Sequence, residues 1–300
     1  MSEIITPPKT TKIPVQRRAR GGVWRAMRRR PLFWIASAVL AVMLAFAVAP
    51  ALFAGIFGHG DPRDCDIADS KIPQAPGHPF GFDLQGCDVW AGAVYGAQSS
   101  LAVGVLATGI SLVIALLLGT LAGMGGRVAD WVVSRLTEVF LGFPFLLAAI
   151  VVLNMLGARN VLTVGVVLGV FGWPMMARIM RGSVRSVAGA DHVLAARTMG
   201  LGLGRIVTRY VMPNAVQPVL LMATLTIGAV IVAESTLTYL GIGLSSPALS
   251  WGLQIAAGSR MFQSAPHIVA LPSVLLALTV LAIVALGEEL RTVLDPRERR

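Results

Sequence analysis

A glutamate, Glu234, lies within a long and predominantly apolar stretch of the chain, residues 216–240. An ionised side chain in lipid costs about 2.5 to 3.5 kcal/mol, so this carboxylate should face protein or water. Two interpretations stay open. Glu234 lines a pathway or acts as a gate, or it makes a hydrogen bond that fixes the packing of neighbouring helices. Asn154 and Gln98 raise the same question more weakly.

The chain contains two cysteines, Cys65 and Cys87, and both lie in one polar segment between apolar stretches. Thiols outside the cytoplasm oxidise readily, so this pair predicts a disulfide that closes the segment into a loop. Two unpaired thiols are the alternative. A second, weaker alternative is a metal site that uses His59, Asp66 or His78, because these residues lack a compact ligand spacing.

Residue patterns typical of enzymes do not occur in this sequence. It has neither the zinc protease pattern HExxH nor the serine hydrolase pattern GxSxG, and no paired intramembrane aspartates. The histidines fall in loops or at the ends of apolar stretches. The stretch "GLGLGR" lacks the preceding strand and the Lys-Ser/Thr pair of a phosphate-binding loop. We therefore expect no catalysis, nucleotide binding, metal or other cofactor in this chain.

The composition is that of a polytopic membrane protein. Of 300 residues, 55% are hydrophobic and 13% are charged, and the mean hydropathy is +0.74. Six apolar runs reach or approach the roughly 20 residues that cross a bilayer as a helix. They are Leu32–Val48, Leu101–Leu121, Phe140–Leu156, Val161–Met180, Val216–Leu240 and Ile268–Leu286. The runs do not alternate in polarity as the strands of a membrane barrel do, so we predict an all-α fold.

The distribution of charge predicts the orientation of the chain. Basic residues cluster before the first run and after the last, and the net charge is +10. An even number of spans places both termini on one side, which the positive-inside rule identifies as the cytoplasm. The segment with the cysteines is rich in aspartate and falls outside. This placement argues against nucleic-acid binding, and the long basic leader argues against the alternative that the first run is a cleaved signal peptide.

These observations predict three regions. Residues 1–31 form a disordered basic cytoplasmic tail, residues 32–295 form the transmembrane domain, and residues 296–300 form a short cytoplasmic tail. Within the transmembrane domain, residues 58–97 form an outer loop, and a further outer loop with a short helix follows the fifth span. Pro144 and Pro174 are expected to kink spans three and four. Glycines in spans two and four, such as Gly119 and Gly169, predict close helix packing.

A basic cytoplasmic segment, residues 182–215, separates spans four and five. Its pattern predicts two short helices. The first covers Ala188 to Met199 and ends at Gly200, and the second starts at Gly204 and stops near Pro213. Small residues followed by a glycine allow the backbone of another protein to approach closely. The alternative is a solvated basic loop that contacts anionic lipid.

The 182–215 segment resembles the EAA loop of ATP-binding-cassette (ABC) importer permeases. Ala195, Ala196, Gly200 and Pro213 match its spacing, whereas Leu194 stands where that loop has a glutamate, although Asp191 is nearby. Two other stretches, "HPFGFDLQGCDV" and "AESTLTYLGIGLSSPALSWG", resemble the peptide and nickel permeases of this class. The resemblance covers roughly residues 30 to 295.

The resemblance implies the type I ABC importer permease fold, with six transmembrane helices and cytoplasmic coupling helices. It implies that the 182–215 segment docks on a separate ATPase. The residues expected to couple are Asp191, Ala195, Ala196, Gly200, Leu201, Arg205 and Pro213.

The implied partners are a homologous permease in a heterodimer, two ATPases that bind ATP and Mg, and an extracytoplasmic solute-binding protein. The solute is expected to be a di- or oligopeptide, with nickel chelates or glutathione left open, and the location is a bacterial inner membrane. The alternative is a proton-coupled secondary transporter in which Glu234 carries the proton, although no inverted repeat is evident.

Overall fold

The computed structural model describes residues 27–28, 30–58 and 60–294. Most of both predicted tails, together with His59, therefore lies outside the described residues. Within that range the regular secondary structure is helical, and isolated β-bridges occur in the loop between the first two spans. The predicted all-α fold is confirmed.

The helices are numbered here in chain order. They are α1 (Pro31–Val48), α2 (Pro50–Ala54), α3 (Val89–Met124), α4 (Gly126–Gly142), α5 (Phe145–Leu156), α6 (Val161–Ala188), α7 (Asp191–Thr198), α8 (Leu203–Ile206), α9 (Met212–Ala215), α10 (Gln217–Tyr239), α11 (Trp251–Ser259) and α12 (His267–Leu294). A 3₁₀ turn covers Ile67–Asp69 and a π-helical turn covers Val207–Val211. The short helix predicted in the loop after span five is α11.

In the part of the chain that the structure describes, five helices are long and apolar enough to cross a membrane, namely α1, α3, α6, α10 and α12. The predicted third span, Phe140–Leu156, is not one helix. It is divided between α4 and α5, which meet at an angle of 84°. Helix α5 has 12 residues, or about 18 Å, which is less than the bilayer's hydrocarbon thickness of about 30 Å. The count reaches six only if α4 and α5 together form one bent span.

The bend between α4 and α5 follows from Pro144. The residue before a proline is pushed out of the helical region, and Phe143 is extended with φ −93° and ψ 133°. The kink predicted at Pro144 is therefore confirmed. Pro174 does not end its helix, because α6 runs through it from Val161 to Ala188, and the predicted kink there stays a prediction.

Helices α3 and α6 pack closely along a row of glycines. A Cβ atom added at Gly119 would lie 2.5 Å from Cβ of Met180, and one added at Gly169 would lie 2.8 Å from Cβ of Ile110. Side chains at these positions would force the helices apart. The close packing predicted from the glycines is confirmed, and the pair forms the centre of the bundle.

Helix α3 begins earlier than the predicted second span. Asp88 caps its amino terminus, with Oδ1 accepting a hydrogen bond from the Ala91 amide at 2.9 Å. Residues 89–97 are therefore helical and do not belong to the outer loop. The polar residues 98–100 interrupt the apolar run and hid the start of the helix, which continues through them back to Val89.

Candidate functional sites

The first predicted helix of the 182–215 segment ends as predicted but starts later, because α6 continues to Ala188 and α7 begins at Asp191. Helix α7 ends in a Schellman motif, in which the amide of Leu201 bonds the carbonyl of Ala196 and the amide of Gly200 bonds that of Arg197. Gly200 has φ +75°, a left-handed conformation that favours glycine. The turn predicted at Gly200 is confirmed.

The second half of the segment differs from the prediction. The chain does not leave the helical conformation at Pro213, because α8 passes through the π-helical turn into α9, where Pro213 occupies the first turn. Proline lacks an N–H group and is tolerated there. The side chain of the next residue, Asn214, donates to the carbonyl of Tyr210 at 2.7 Å. The predicted helix end at Pro213 is wrong.

The inner face of the segment is seated on the helical bundle. Val193, Ala196 and Ile206 are buried in one apolar cluster with Met180 and Val184 of α6. The same cluster includes residues of α3 and α10. The hydroxyl of Ser183 in α6 also donates to the carbonyl of Ala215 at 2.8 Å. These contacts fix α7 and α8 as a rigid projection between α6 and α10.

The outer face of the segment combines large apolar side chains with arginines. Met199 and Leu203 are 70% and 68% exposed, and Arg205 lies beside them on the surface. Of the residues expected to couple, the exposed ones are Asp191, Ala195, Gly200, Arg205 and Pro213, with Leu201 half-buried. Ala196 faces the bundle and is fully buried. Its small size is therefore explained by packing within this chain.

An ion-pair cluster that the sequence analysis missed joins α4 to the carboxyl-terminal part of α6. Asp130 of α4 contacts Arg181 through Nε at 2.5 Å and Nη2 at 2.9 Å, and Nη2 of Arg185 at 2.7 Å. The two arginines lie four residues apart and so share one face of α6. The four-residue spacing of these arginines was the one sequence signal that pointed to an ion-pair cluster. The cluster holds the start of α4 against α6, the helix that leads into the 182–215 segment.

Glu234 lies fully buried within a set of hydroxyl groups. Its Oε1 accepts a hydrogen bond from Thr238 at 2.9 Å, and its Oε2 accepts one from Ser235 at 3.3 Å. The hydroxyls of Ser100 in α3 and Ser250 before α11 also interact with the carboxylate. Glu234 therefore connects three parts of the fold, as the packing interpretation expects. A role as a gate stays a prediction.

The groups around Glu234 also bind the loop that follows α10. The hydroxyl of Thr238 accepts a hydrogen bond from the Leu244 amide at 3.0 Å. Nε1 of Trp251 donates to the Ala93 carbonyl of α3 at 2.9 Å. A Cβ atom added at Gly252 would lie 2.8 Å from Cα of Ser235. Loop 240–250 is thus fixed between α3 and α10.

The loop between α2 and α3 contains the predicted disulfide. Cys65 and Cys87 are bonded with an S–S distance of 2.05 Å. His78 and Asp88 form a buried pair below it, through Nδ1 and Oδ2. Among the described residues, no group of three or more potential metal ligands comes together. The structure therefore supports the disulfide and gives no support to a metal site at Asp66 or His78, while His59 is not described.

A cleft of about 690 Å³ opens at the end of the bundle that carries the disulfide loop, and we call it the outer cleft. Residues from the loop, the start of α3, the start of α6 and loop 240–250 line it. They are Arg63, Tyr95, Gln98, Ser99, Arg159, Asn160, Val161, Leu162, Ser245, Ser246, Pro247, Ala248 and Leu249. Sequence reasoning pointed to Gln98 and to the stretch that contains residues 245–249, but not to the cleft, because it is assembled from four distant parts of the chain.

Comparison with known proteins gives a consistent result. Residues 115–300 match the family model described as binding-protein-dependent transport system inner membrane component. The chain is 35% identical over 279 residues to the dipeptide transport system permease protein DppC of Bacillus subtilis (strain 168), covering 92% of this chain and 85% of that protein. It is 32% identical over 280 residues to the oligopeptide transport system permease protein OppC of Escherichia coli (strain K12), covering 92% of each.

A solved structure shares the fold. The MetNI methionine ABC transporter in an inward-facing conformation contains a chain that matches with a TM-score of 0.56 at 21% identity, covering 68% of this chain and 97% of that one. None of these relatives supports the interpretation as a proton-coupled secondary transporter. With its membrane-spanning helices, its seated two-helix segment and these similarities, the chain belongs to the family of inner membrane components of binding-protein-dependent transport systems.

Proposed function

We propose that this protein is one of two permease subunits of an ABC importer that moves di- or oligopeptides into the cytoplasm. The observation that supports this most directly is the 182–215 segment, a rigid pair of short helices with an exposed apolar and basic face. The peptide class is suggested by the names of the dipeptide and oligopeptide permeases that the chain resembles.

The mechanism follows from the way the segment is attached. Separate ATPase subunits bind ATP and Mg and change shape during hydrolysis, and only a rigid contact can pass that movement to membrane helices. The 182–215 segment joins the end of α6 to the start of α10 and is packed on both. Binding that differs between two ATPase conformations shifts the permease between inward-open and outward-open states.

The proposed assembly contains a second homologous permease, two ATPases and an extracytoplasmic solute-binding protein. In the proposed orientation both termini and the 182–215 segment are cytoplasmic, and the disulfide loop and outer cleft face outward. This agrees with the positive-inside rule and with a disulfide, which forms outside the cytoplasm. No nucleic acid takes part, and the chain contacts membrane lipid through its exposed apolar helices.

Copurification and uptake test the proposal together. Leu203→Glu places a charge on the exposed face of the segment, and we expect it to leave the protein in the membrane while ATPase copurification and ATP-driven peptide uptake fall at least tenfold. Ile67→Glu is the matched control, because Ile67 is 80% exposed at the opposite end of the bundle. Normal copurification and uptake with Leu203→Glu would refute the docking surface. Uptake that needs a proton gradient and no ATP would refute the importer class.

A further inference from the structure

The outer cleft has a basic wall, although the Asp61 carboxylate lies just outside it and accepts a hydrogen bond from the Arg63 amide at 2.9 Å. Two arginines, Arg63 and Arg159, are in its wall, and the described residues that form it include no acidic side chain. Cations that line a cleft with low-dielectric walls focus their field into it. The cleft therefore attracts an anionic group more strongly than the surrounding surface does.

Backbone contacts hold both guanidinium groups in place. Nη2 of Arg63 donates to the Pro247 carbonyl at 3.1 Å, and Nη1 of Arg159 donates to the Gly241 carbonyl at 2.5 Å. A guanidinium has five N–H donors, and each of these contacts uses one. The remaining donors of each guanidinium are sufficient for the two parallel hydrogen bonds with which arginine binds a carboxylate.

The amino terminus of α6 adds to the positive field. Asn160 caps the helix, with its Oδ1 accepting from the Thr163 amide at 2.9 Å. Val161 and Leu162 follow it in the cleft wall, and their amides precede the first hydrogen bond of the helix. The start of a 28-residue helix contributes a partial positive charge of about half a unit. Three sources of positive potential thus converge on one volume.

The volume of the outer cleft fits a small ligand. About 690 Å³ lies within the range of roughly 300 to 1,000 Å³ found for small-molecule sites. Tyr95, Leu162 and Leu249 supply apolar wall next to the arginines. The carboxyl end of a short peptide matches such a wall, because it carries one carboxylate next to side chains. The cationic amino terminus of the peptide does not match it, because the wall has no acidic side chain.

We infer that the outer cleft receives the terminal carboxylate of the transported peptide as it enters the permease. This inference rests on the proposed function and assigns a residue pair, Arg63 and Arg159, to recognition of the solute. The peptide enters with its carboxyl end against the start of α6, and its side chains lie along the apolar wall.

The test uses the complete transporter in proteoliposomes with saturating binding protein and labelled trialanine. For Arg63→Gln combined with Arg159→Gln we expect uptake to fall about tenfold, the usual scale for a lost charged hydrogen bond. The binding-protein concentration that gives half-maximal uptake should not change. Lysine at both positions should restore part of the uptake, because it restores the charge but not the two parallel hydrogen bonds of a guanidinium.

Two further variants separate charge from structure. Ser246→Glu adds a negative charge to the cleft wall without removing a backbone contact, so it should lower uptake to a similar extent. Arg260→Gln removes an exposed charge from a residue outside the cleft wall and should leave uptake unchanged.

Three outcomes would overturn the inference, and they differ in what they say of the proposed function. Unchanged uptake in the double Gln variant overturns the inference while the proposed function stands. A raised half-maximal concentration of binding protein with an unchanged maximal rate also overturns it and shows that the cleft docks an acidic protein surface. If the wild-type complex moves no trialanine with ATP, the proposed peptide function fails and this inference fails with it.

Discussion

Replacement of Glu234 separates a packing role from a role in transport. The carboxylate is fully buried and accepts hydrogen bonds from Thr238 and Ser235. Glu234→Gln keeps the shape and one acceptor oxygen, and the new amide N–H groups can donate to hydroxyl oxygens, which are also acceptors. We therefore expect Glu234→Gln to change the free energy of unfolding by no more than about 1.5 kcal/mol.

Glu234→Ala has a larger effect. It removes the acceptor of both hydroxyl groups, and each buried group left unsatisfied costs about 1 to 3 kcal/mol. It also leaves a cavity where a side chain had filled the space between α3 and α10, which adds to the loss. The two hydroxyl groups alone give an expected destabilisation of about 2 to 6 kcal/mol, seen as a lower melting temperature and less folded protein in the membrane.

The assay measures both melting temperature and uptake per folded molecule in the complete transporter. If Glu234 acts in packing, uptake per folded molecule stays near wild type in Glu234→Gln, and the loss in Glu234→Ala follows the loss of folded protein. Thr236→Ala is the control, since its hydroxyl bonds only the Val232 carbonyl of the same helix among the contacts described. A Glu234→Gln protein with unchanged melting temperature and abolished uptake would refute this reasoning and support a gate.

Three further predictions address packing, the loop and orientation. Gly119→Ala should lower the melting temperature, because overpacking costs about 1 to 3 kcal/mol. Gly109→Ala is the control and should not lower it, because the space around its added Cβ is open. Equal effects of the two variants would contradict the glycine packing. Replacement of Cys65 and Cys87 by serine should increase external proteolysis of residues 60–88 while the bundle stays folded, and unchanged cleavage would show that the disulfide does not restrain the loop. In that cysteine-free protein, Arg205→Cys should react with an impermeant maleimide in inside-out vesicles and not in intact cells; labelling in intact cells would reverse the proposed orientation.

The parts of the fold that the sequence predicted well are those governed by local physics. Apolar length located five membrane helices, although not the bent pair α4 and α5, and Gly200 located the end of α7, where a positive φ is required. Small residues in α3 and α6 indicated close packing. In each case the signal lies in a short window of residues, and neighbouring parts of the chain do not override it.

The errors arose where tertiary contacts decide the local structure. Pro213 looked like a helix end, but a π-helical turn before it and the Asn214 side chain accommodate the proline within a helical run. The ion pairs of Asp130 and the outer cleft combine residues far apart in sequence, so no single window contains them. Ala196 matched a docking motif, yet its burial depends on how α7 is seated on the bundle.

Helix α6 connects the two candidate functional regions of the molecule. Its first residues line the outer cleft, and its last turn leads into the 182–215 segment. With 28 residues it is about 42 Å long, enough to cross the bilayer. A helix broken at Pro174 would absorb a displacement of its inner end, but α6 is continuous there and packs on α3 along the glycine row. We therefore expect a movement imposed on the segment to shift α6 along α3 and to change the wall of the outer cleft with it.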